Sequence, residues 1–310
     1  MQIGTSALNL PGRVALSEVA GYPKYFLQEA RISVQIIFLI RLCTAAILSG
    51  AAYLGPRMWE LALAWVLATL AIYVYNGIAD VTEDRANGST RPISRGALPV
   101  RVASIGVVGT GGLALGIDAL IDPAGPLPWL MLAYLFLGYA YSGAPFYAKT
   151  RGSSAVLVVL GLGVLTYADG WEAGGGHSLL PVLLGVTMSL WMGGVGALVK
   201  DLSDAAGDAA AGRRTPVIVY GELGVRVLAS GNAVLIASGY LVVVVLFGVT
   251  VLLPSAIALL AGAVAVAVLA ATTRRATTRA GRRLPYRAFM VAQYAAHIAV
   301  IGAVMVAHAP

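Results

Sequence analysis

Residues 58–84 read MWELALAWVLATLAIYVYNGIADVTED, an apolar run that ends in a row of acidic side chains. A helix that crosses a bilayer needs about 20 predominantly apolar residues, and the span 58–78 provides them. Because a backbone inside lipid has to satisfy its own hydrogen bonds, this span is expected to be helical. It therefore predicts a transmembrane helix whose end carries several carboxylates.

The rest of the chain is equally apolar. Its 310 residues are 59% hydrophobic and 11% charged, with a mean hydropathy of +0.83, whereas ordinary soluble domains are about 25% charged. This composition excludes a soluble enzyme, a disordered chain and a nucleic-acid-binding module. Apolar runs predict nine transmembrane helices at 32–54, 58–78, 98–121, 127–145, 153–171, 178–199, 226–249, 255–272 and 289–307.

The fold class follows from the length of these runs. The period-two alternation of a membrane β-barrel does not occur in the sequence, so the runs predict an all-α membrane protein. We expect an N-terminal cytoplasmic segment, 1–31, and a single transmembrane domain, 32–308. A cleavable signal peptide is not expected at the N-terminus.

The basic residues predict the orientation of the bundle. If the N-terminus is cytoplasmic, all of the 21 lysines and arginines except Arg41 and Arg57 fall on the cytoplasmic side. By the positive-inside rule, this asymmetry predicts a multi-pass protein of the cell membrane whose N-terminus and acidic clusters are cytoplasmic. The net charge of +7 is then a topology signal, with some attraction to anionic lipid headgroups.

Two acidic rows follow predicted helices on that side. The first lies after the helix 58–78 and the second after the helix 178–199. In the first, Asn76, Asp80 and Asp84 share one helix face at i, i+4 and i+8, and Glu83 lies beside them. In the second, the spacing is i, i+3 and i+7, and its members are Asp201, Asp204 and Asp208.

The rows predict a cation site, because like charges at these spacings repel each other. Oxygen ligands without a nearby histidine or cysteine indicate Mg²⁺, which takes one or two carboxylates and completes its shell with water and phosphate. Two rows suggest two or three Mg²⁺ ions that hold a diphosphate. The predicted metal ligands are Asp80, Asp84, Asp201, Asp204 and Asp208. The basic residues Arg91, Lys149 and Lys200 could neutralise the diphosphate as it leaves.

Two alternatives remain open on the residues alone. Acidic and basic side chains at helix ends can be solvated caps, although two matching clusters on one side make that less favoured. A proton- or cation-coupled transporter is the stronger competitor, but transporters place their carboxylates near the middle of the bilayer.

At these residues the sequence resembles the UbiA superfamily of intramembrane prenyltransferases. The segment from Asn76 to Gly96 is similar to the family's first aspartate-rich motif, and the segment from Lys200 to Thr215 is similar to the second. Between them, Tyr141 to Lys149 resembles the tyrosine- and lysine-bearing segment after the fourth helix. The helix count and the order of the motifs match over nearly the whole chain.

The resemblance implies a nine-helix bundle with a lateral opening to lipid and a polar cap over its cytoplasmic end. It implies that Asn76 joins the aspartates in binding metal and diphosphate. Arg31 takes the place of an early family arginine near the active site, and Tyr141 is a candidate for the acceptor or cation pocket. One departure is Gly77, because many family members have an aspartate at that position.

Three functions are consistent with this pattern. The first is an aromatic prenyltransferase, in which a prenyl diphosphate donor alkylates a hydrophobic phenolic or quinone-precursor acceptor. The second is a UbiA-type membrane terpene cyclase, which ionises the same diphosphate but quenches the carbocation intramolecularly. The third is the transporter. No nucleic acid partner is expected, and the sequence does not predict a protein partner.

Overall fold

The computed structural model describes residues 16–51, 55–86, 88–210 and 212–307. In chain order its helices are α1 (Leu16–Glu29), α2 (Ile32–Ser49), α3 (Pro56–Ala79), α4 (Val81–Ala86), α5 (Val100–Ile121), α6 (Leu127–Ser142), α7 (Gly152–Ala173), α8 (Leu180–Trp191), α9 (Ala197–Asp201), α10 (Ala205–Ala210), α11 (Pro216–Leu246), α12 (Leu253–Thr272), α13 (Arg279–Arg282) and α14 (Leu284–Ala307). The described residues form no β-strand, and an isolated bridge pairs Arg151 with Arg214.

The predicted membrane helices are present in this part of the chain. Eight helical stretches are long and apolar enough to cross a membrane, and one of them, Leu180–Asp201, joins α8 to α9 through a π-helical turn. The ninth predicted helix is α6, which is shorter at 16 residues. The all-α prediction is therefore confirmed, and the protein is a multi-pass membrane protein.

Some predicted helix ends were wrong. The helix predicted to begin at residue 226 begins at Pro216, because α11 continues through a kink at Gly221, whose φ is 73°. The helix predicted for 32–54 ends at Ser49, where Gly50 adopts a φ of 133°. Residues 52–54 of that prediction lie outside the described part of the chain.

Small residues set the distance between helices. A Cβ added at Gly262 in α12 would overlap the Cβ of Ala292 in α14, and one added at Gly138 in α6 would overlap Ile72 in α3. Close approach of this kind is how membrane helices gain packing energy in lipid. Large apolar side chains such as Val108, Leu120 and Phe247 are exposed, as expected for a surface that faces lipid.

The N-terminal segment contains a helix, α1, that packs against α3 and α5. Phe26 lies on Gly106, where a Cβ would overlap its ring. The guanidinium of Arg95 lies 5.3 Å from the ring centroid of Tyr25. This packing brings the end of α1 next to the first acidic row. Residues 1–15 of the predicted segment lie outside the described part.

Candidate active site

The first acidic row keeps a nearly continuous helical register. Asp80 ends α3, and its N–H donates to the carbonyl of Asn76 at 3.0 Å. The N–H of Asp84 in turn donates to the carbonyl of Asp80 at 2.8 Å. The Asn76 side chain donates to Asp80 Oδ2 at 3.0 Å and accepts from Ser142 at 2.6 Å. Ser142, at the end of α6, was not among the predicted site residues.

Asp80 is the most heavily paired carboxylate of this row. Its Oδ1 lies 2.5 Å from Lys149 Nζ and 3.1 Å from Arg213 Nη2. Burial alone would raise the pKa of Asp80, but the charges of Lys149, Arg213 and Arg91 outweigh burial and hold it below its ordinary value. Asp80 is therefore an ionised carboxylate at neutral pH, as a metal ligand has to be.

The end of the row is fixed by an ion-pair chain that reaches α1. Arg91 lies 2.8 Å from Asp84 Oδ2 and 2.6 Å from Glu29 Oε1. Glu29 is buried, and it also accepts the backbone N–H of Ile93 at 3.0 Å. A Cβ on Gly77 would overlap the Glu29 carboxylate. The carboxylate that Gly77 lacks is thus replaced in space by one from α1.

The second row begins at Asp201, the last residue of α9, passes through the turn that contains Asp204, and ends at Asp208 in α10. The N–H of Asp204 donates to Asp201 at 3.1 Å, and the N–H of Asp208 donates to Asp204 at 3.0 Å. Asp204 binds the exposed Arg279 at 2.7 Å. Burial, and next the charge of Asp204, raise the pKa of Asp208 above its ordinary value.

Arg213 joins the two rows. Its Nη2 contacts Asp80 Oδ1 at 3.1 Å and also Glu83 Oε2, and its Nη1 lies 3.4 Å from Asp208 Oδ1. The rows therefore meet at one end of the bundle, as the topology predicts. Glu83, which lies beside the first row in the sequence, belongs to this junction. Arg213 was not among the predicted site residues.

The backbone around Arg213 is held by the isolated bridge. The N–H of Arg214 donates to Thr150 at 3.2 Å, and the N–H of Gly152 donates to Arg214 at 3.1 Å. This pairing ties the loop that carries Lys149 to the loop that carries Arg213. Two residues far apart in the sequence consequently approach the same oxygen of Asp80.

Lys200, Tyr141 and Arg31 are predicted site residues that lie near one another. Lys200 is exposed, although it is in electrostatic range of Tyr141, Asp201, Arg31 and Tyr286. Arg31 lies between α1 and α2 in the left-handed region, with a φ of 59°. Residues from several helices thus surround Lys200, which is the arrangement expected at the wall of a binding site.

A string of aromatic rings leads from the first row into the bundle. The ring centroid of Phe38 is 6.3 Å from that of Tyr73 and 5.9 Å from that of Tyr134, which in turn lies 4.4 Å from Trp65. The Arg41 guanidinium lies 5.0 Å from the Phe38 centroid. Such π-faces can stabilise a cation in a site that excludes water.

The carboxylates of the two rows suit Mg²⁺ better than a metal ion that needs three or more protein ligands at one point. Among the described residues, no group of three or more histidine, cysteine, aspartate or glutamate side chains is close enough to hold an ion. Mg²⁺ does not need such a group, because one or two carboxylates with water and substrate phosphate complete its octahedron. Asp80 and Asp208, which both contact Arg213, can provide these one or two carboxylates.

Comparisons with known proteins agree with the geometry. A sequence model of the UbiA prenyltransferase family matches residues 37–302. Digeranylgeranylglyceryl phosphate synthase of Natronomonas pharaonis is 31% identical over 188 residues. That alignment covers 59% of this chain and 61% of the relative, so the chain spans less than two thirds of the relative's length.

Solved structures share the fold. The UbiA homologue of Archaeoglobus fulgidus bound to GPP and Mg²⁺ is 16% identical, with a TM-score of 0.71, and the match covers 90% of this chain and 99% of that one. The UbiA homologue of Aeropyrum pernix K1 is 21% identical, with a TM-score of 0.66 and the same coverage, 90% and 99%. At these identities the likeness shows the arrangement of helices.

Proposed function

The chain belongs to the UbiA prenyltransferase family, and from that premise we propose that it is a magnesium-dependent prenyltransferase of the membrane. It ionises an allylic prenyl diphosphate and transfers the prenyl group to a hydrophobic acceptor. The observation that carries the proposal is the junction at which Arg213 and Lys149 meet carboxylates of both acidic rows.

The predicted metal and diphosphate residues each have a role in this proposal. The metal-binding carboxylates are Asp80, Asp84, Asp201, Asp204 and Asp208. The residues that hold the diphosphate are Asn76, Arg91, Lys149 and Lys200. Lys149 and Arg91 already contact the first row, so a diphosphate bound there lies within reach of both cations. Bound Mg²⁺, two or three ions, neutralises negative charge on the diphosphate.

The proposed reaction needs positive charge where the diphosphate binds, and a pocket without water where the allylic cation forms. When the allylic C–O bond breaks, its electron pair stays on the diphosphate, and Lys149 and Arg91 stabilise the charge that develops. The allylic cation is left toward the aromatic rings, among which Tyr141 and Tyr73 are the candidates to stabilise it. The acceptor forms a bond to the cation and loses a proton to the released diphosphate.

We propose an aromatic acceptor, a phenolic or quinone-precursor ring. The aromatic rings of Phe38, Tyr73 and Tyr134 favour it, since an aromatic acceptor can pack edge-to-face against such a cluster. A second candidate is a prenylated glycerol phosphate, which the name of the Natronomonas relative favours. A terpene cyclase is distinguished by product formation without any acceptor.

The proposed orientation places the N-terminus, α1 and both acidic rows at the cytoplasmic face. The positive-inside rule supports it, because Arg91, Lys149 and Arg213 all gather at that end. The proposed organisation is one transmembrane domain, 32–308, with the N-terminal segment packed on its cytoplasmic end through α1 and Glu29. Labelling of single cysteines from either side of sealed vesicles tests this orientation.

The test of function is a product assay with purified protein in lipid nanodiscs. Short and long allylic diphosphates are supplied with Mg²⁺, and a phenolic acid, a prenylated glycerol phosphate or no acceptor is added. The aromatic proposal predicts a prenylated ring and diphosphate release, and Asp80→Ala and Asp204→Ala remove both. Unchanged release in these two variants contradicts both enzyme functions, and a hydrocarbon made without acceptor establishes the cyclase.

A further inference from the structure

We propose that Arg213 competes with the divalent cation for the carboxylates of both rows, and thereby sets the cation concentration at which the site fills. The inference rests on the proposed function, because it assumes that these carboxylates bind metal. It assigns to Arg213 a positioning role: it holds the rows together and yields their oxygens when the cation binds.

The geometry makes competition unavoidable. The guanidinium of Arg213 uses Nη2 for Asp80 and Glu83, and Nη1 for Asp208. These contacts occupy one oxygen of each carboxylate, Oδ1 of Asp80, Oε2 of Glu83 and Oδ1 of Asp208. A magnesium ion demands oxygens at about 2.0–2.1 Å in an octahedron. An ion that binds these oxygens displaces the guanidinium, because the two cations compete for the same oxygens and repel each other.

Among the described residues, Arg213 differs from the other basic residues nearby because it spans both rows. Lys149 binds Asp80, Arg91 binds Asp84, and each of these contacts belongs to the first row. Arg279 binds Asp204 of the second row from an exposed position. Removing Lys149 or Arg91 therefore changes one row, whereas removing Arg213 takes one cation contact away from Asp80 and from Asp208 at the same time.

The backbone permits the side chain to leave while its loop stays in place. Gly212 adopts a φ of 66°, and the N–H of Arg213 donates to the carbonyl of Asp208 at 2.9 Å. The next residue, Arg214, is anchored to Thr150. The side chain of Arg213 is one-fifth exposed, at 20%, so it can swing toward solvent without opening the bundle.

Direct metal binding tests the inference without catalysis. Mn²⁺ alone is titrated into purified protein, and free Mn²⁺ is counted by electron paramagnetic resonance. We expect Arg213→Gln to lower the half-saturating Mn²⁺ concentration by about 10-fold, because one nearby positive charge is removed. Arg213→Lys, which keeps the charge but cannot span three carboxylates, gives an intermediate decrease. Arg275→Gln, an equal charge change at an exposed residue of a 3₁₀ helix, stays within about twofold.

The outcomes separate this inference from the proposed function. Unchanged or weaker Mn²⁺ binding in Arg213→Gln, while Asp80→Ala abolishes binding, overturns the role of Arg213 and leaves the metal site intact. Wild-type protein that binds no Mn²⁺ contradicts the metal site itself. Misfolding weakens binding and cannot imitate the predicted tightening. If Arg213→Gln does not remain monodisperse, Arg213→Lys decides, and an affinity equal to that of the wild type overturns the inference.

Discussion

Carboxylates gather at two opposite ends of this helix bundle, and their surroundings differ. At the end that carries the motifs, Asp80, Asp84 and Asp208 each contact a lysine or arginine. At the other end, Asp118 in α5 and Asp169 in α7 are buried. Both oxygens of Asp118 and Oδ1 of Asp169 have no hydrogen-bond partner among the described residues.

The difference lies in what balances the charge. A carboxylate paired with a partly exposed cation can exchange that cation for a metal ion or a substrate. A buried carboxyl without such a partner is tolerated in a membrane helix only if it bears no net charge, since an unpaired buried ion is too costly. On the function that we propose, the first end therefore binds ionic ligands, and the second serves packing.

The largest expected effect comes from Asp80. Asp80→Asn keeps the size of the side chain but removes the charge that Lys149 and Arg213 share. We expect diphosphate release to fall by on the order of 1,000-fold, the scale of a lost electrostatic contribution in an active site. Release of diphosphate from a short allylic substrate at saturating Mg²⁺ measures it. A rate within about tenfold of the wild type contradicts the assigned role.

Lys149 should have the next largest effect. Lys149→Met preserves the aliphatic stem and removes the ammonium that contacts Asp80. The rate of ionisation should fall by roughly 100-fold, because one charge that stabilises the leaving group is lost. Lys149→Arg is the matched control and should recover part of the rate. Equal rates in the methionine and arginine variants mean that the charge is irrelevant.

A substitution of Glu29 tests whether its ion pair with Arg91 also stabilises the end of the bundle that carries the acidic rows. Glu29→Ala leaves Arg91 without its partner on α1 and removes the acceptor of the Ile93 N–H. We expect a loss of about 3 kcal/mol in unfolding free energy, the usual cost of breaking a buried ion pair. Unfolding in mixed detergent micelles measures this loss. Glu172→Ala, at the opposite end, is a control expected to cost less than about 1 kcal/mol.

The smallest effect is expected for the buried carboxyl at the far end. Asp169→Asn replaces it with a neutral group of the same shape, so the rate should stay within about twofold and the protein should remain folded. The same product assay and a thermal unfolding curve check both expectations. A fall in rate as large as that expected for Asp80→Asn would contradict the proposed difference between the two ends of the bundle.

The sequence predicts local features of this protein well. Hydropathy predicts the eight helices that, among the described residues, are long and apolar enough to cross a membrane, and also the shorter α6, because each run is a property of contiguous residues. The spacing of Asn76, Asp80 and Asp84 survives in the structure because the helical hydrogen bonds continue past the end of α3. The predicted start at residue 226 failed because Gly221 and Gly224 look like a loop although α11 extends through them.

Contacts between side chains from distant segments could not be predicted from the sequence in the same way. Glu29 meets Arg91 from 62 residues away, and Arg213 meets Asp80 from 133 residues away. Only the packing of α1 on α3 and the backbone bridge at Arg214 bring these side chains together. Gly77 gave a usable signal, because a missing carboxylate in the first motif invites a search for a replacement such as Glu29.

We propose that the two acidic rows form one site. This is tested by a double-mutant cycle of Asp80→Asn and Asp208→Asn, read by Mg²⁺-dependent diphosphate release. Residues that act as one unit lose little more together than either loses alone. We therefore expect the double variant to be about as slow as the slower single variant. Losses that multiply, as for independent residues, would show that the rows act separately.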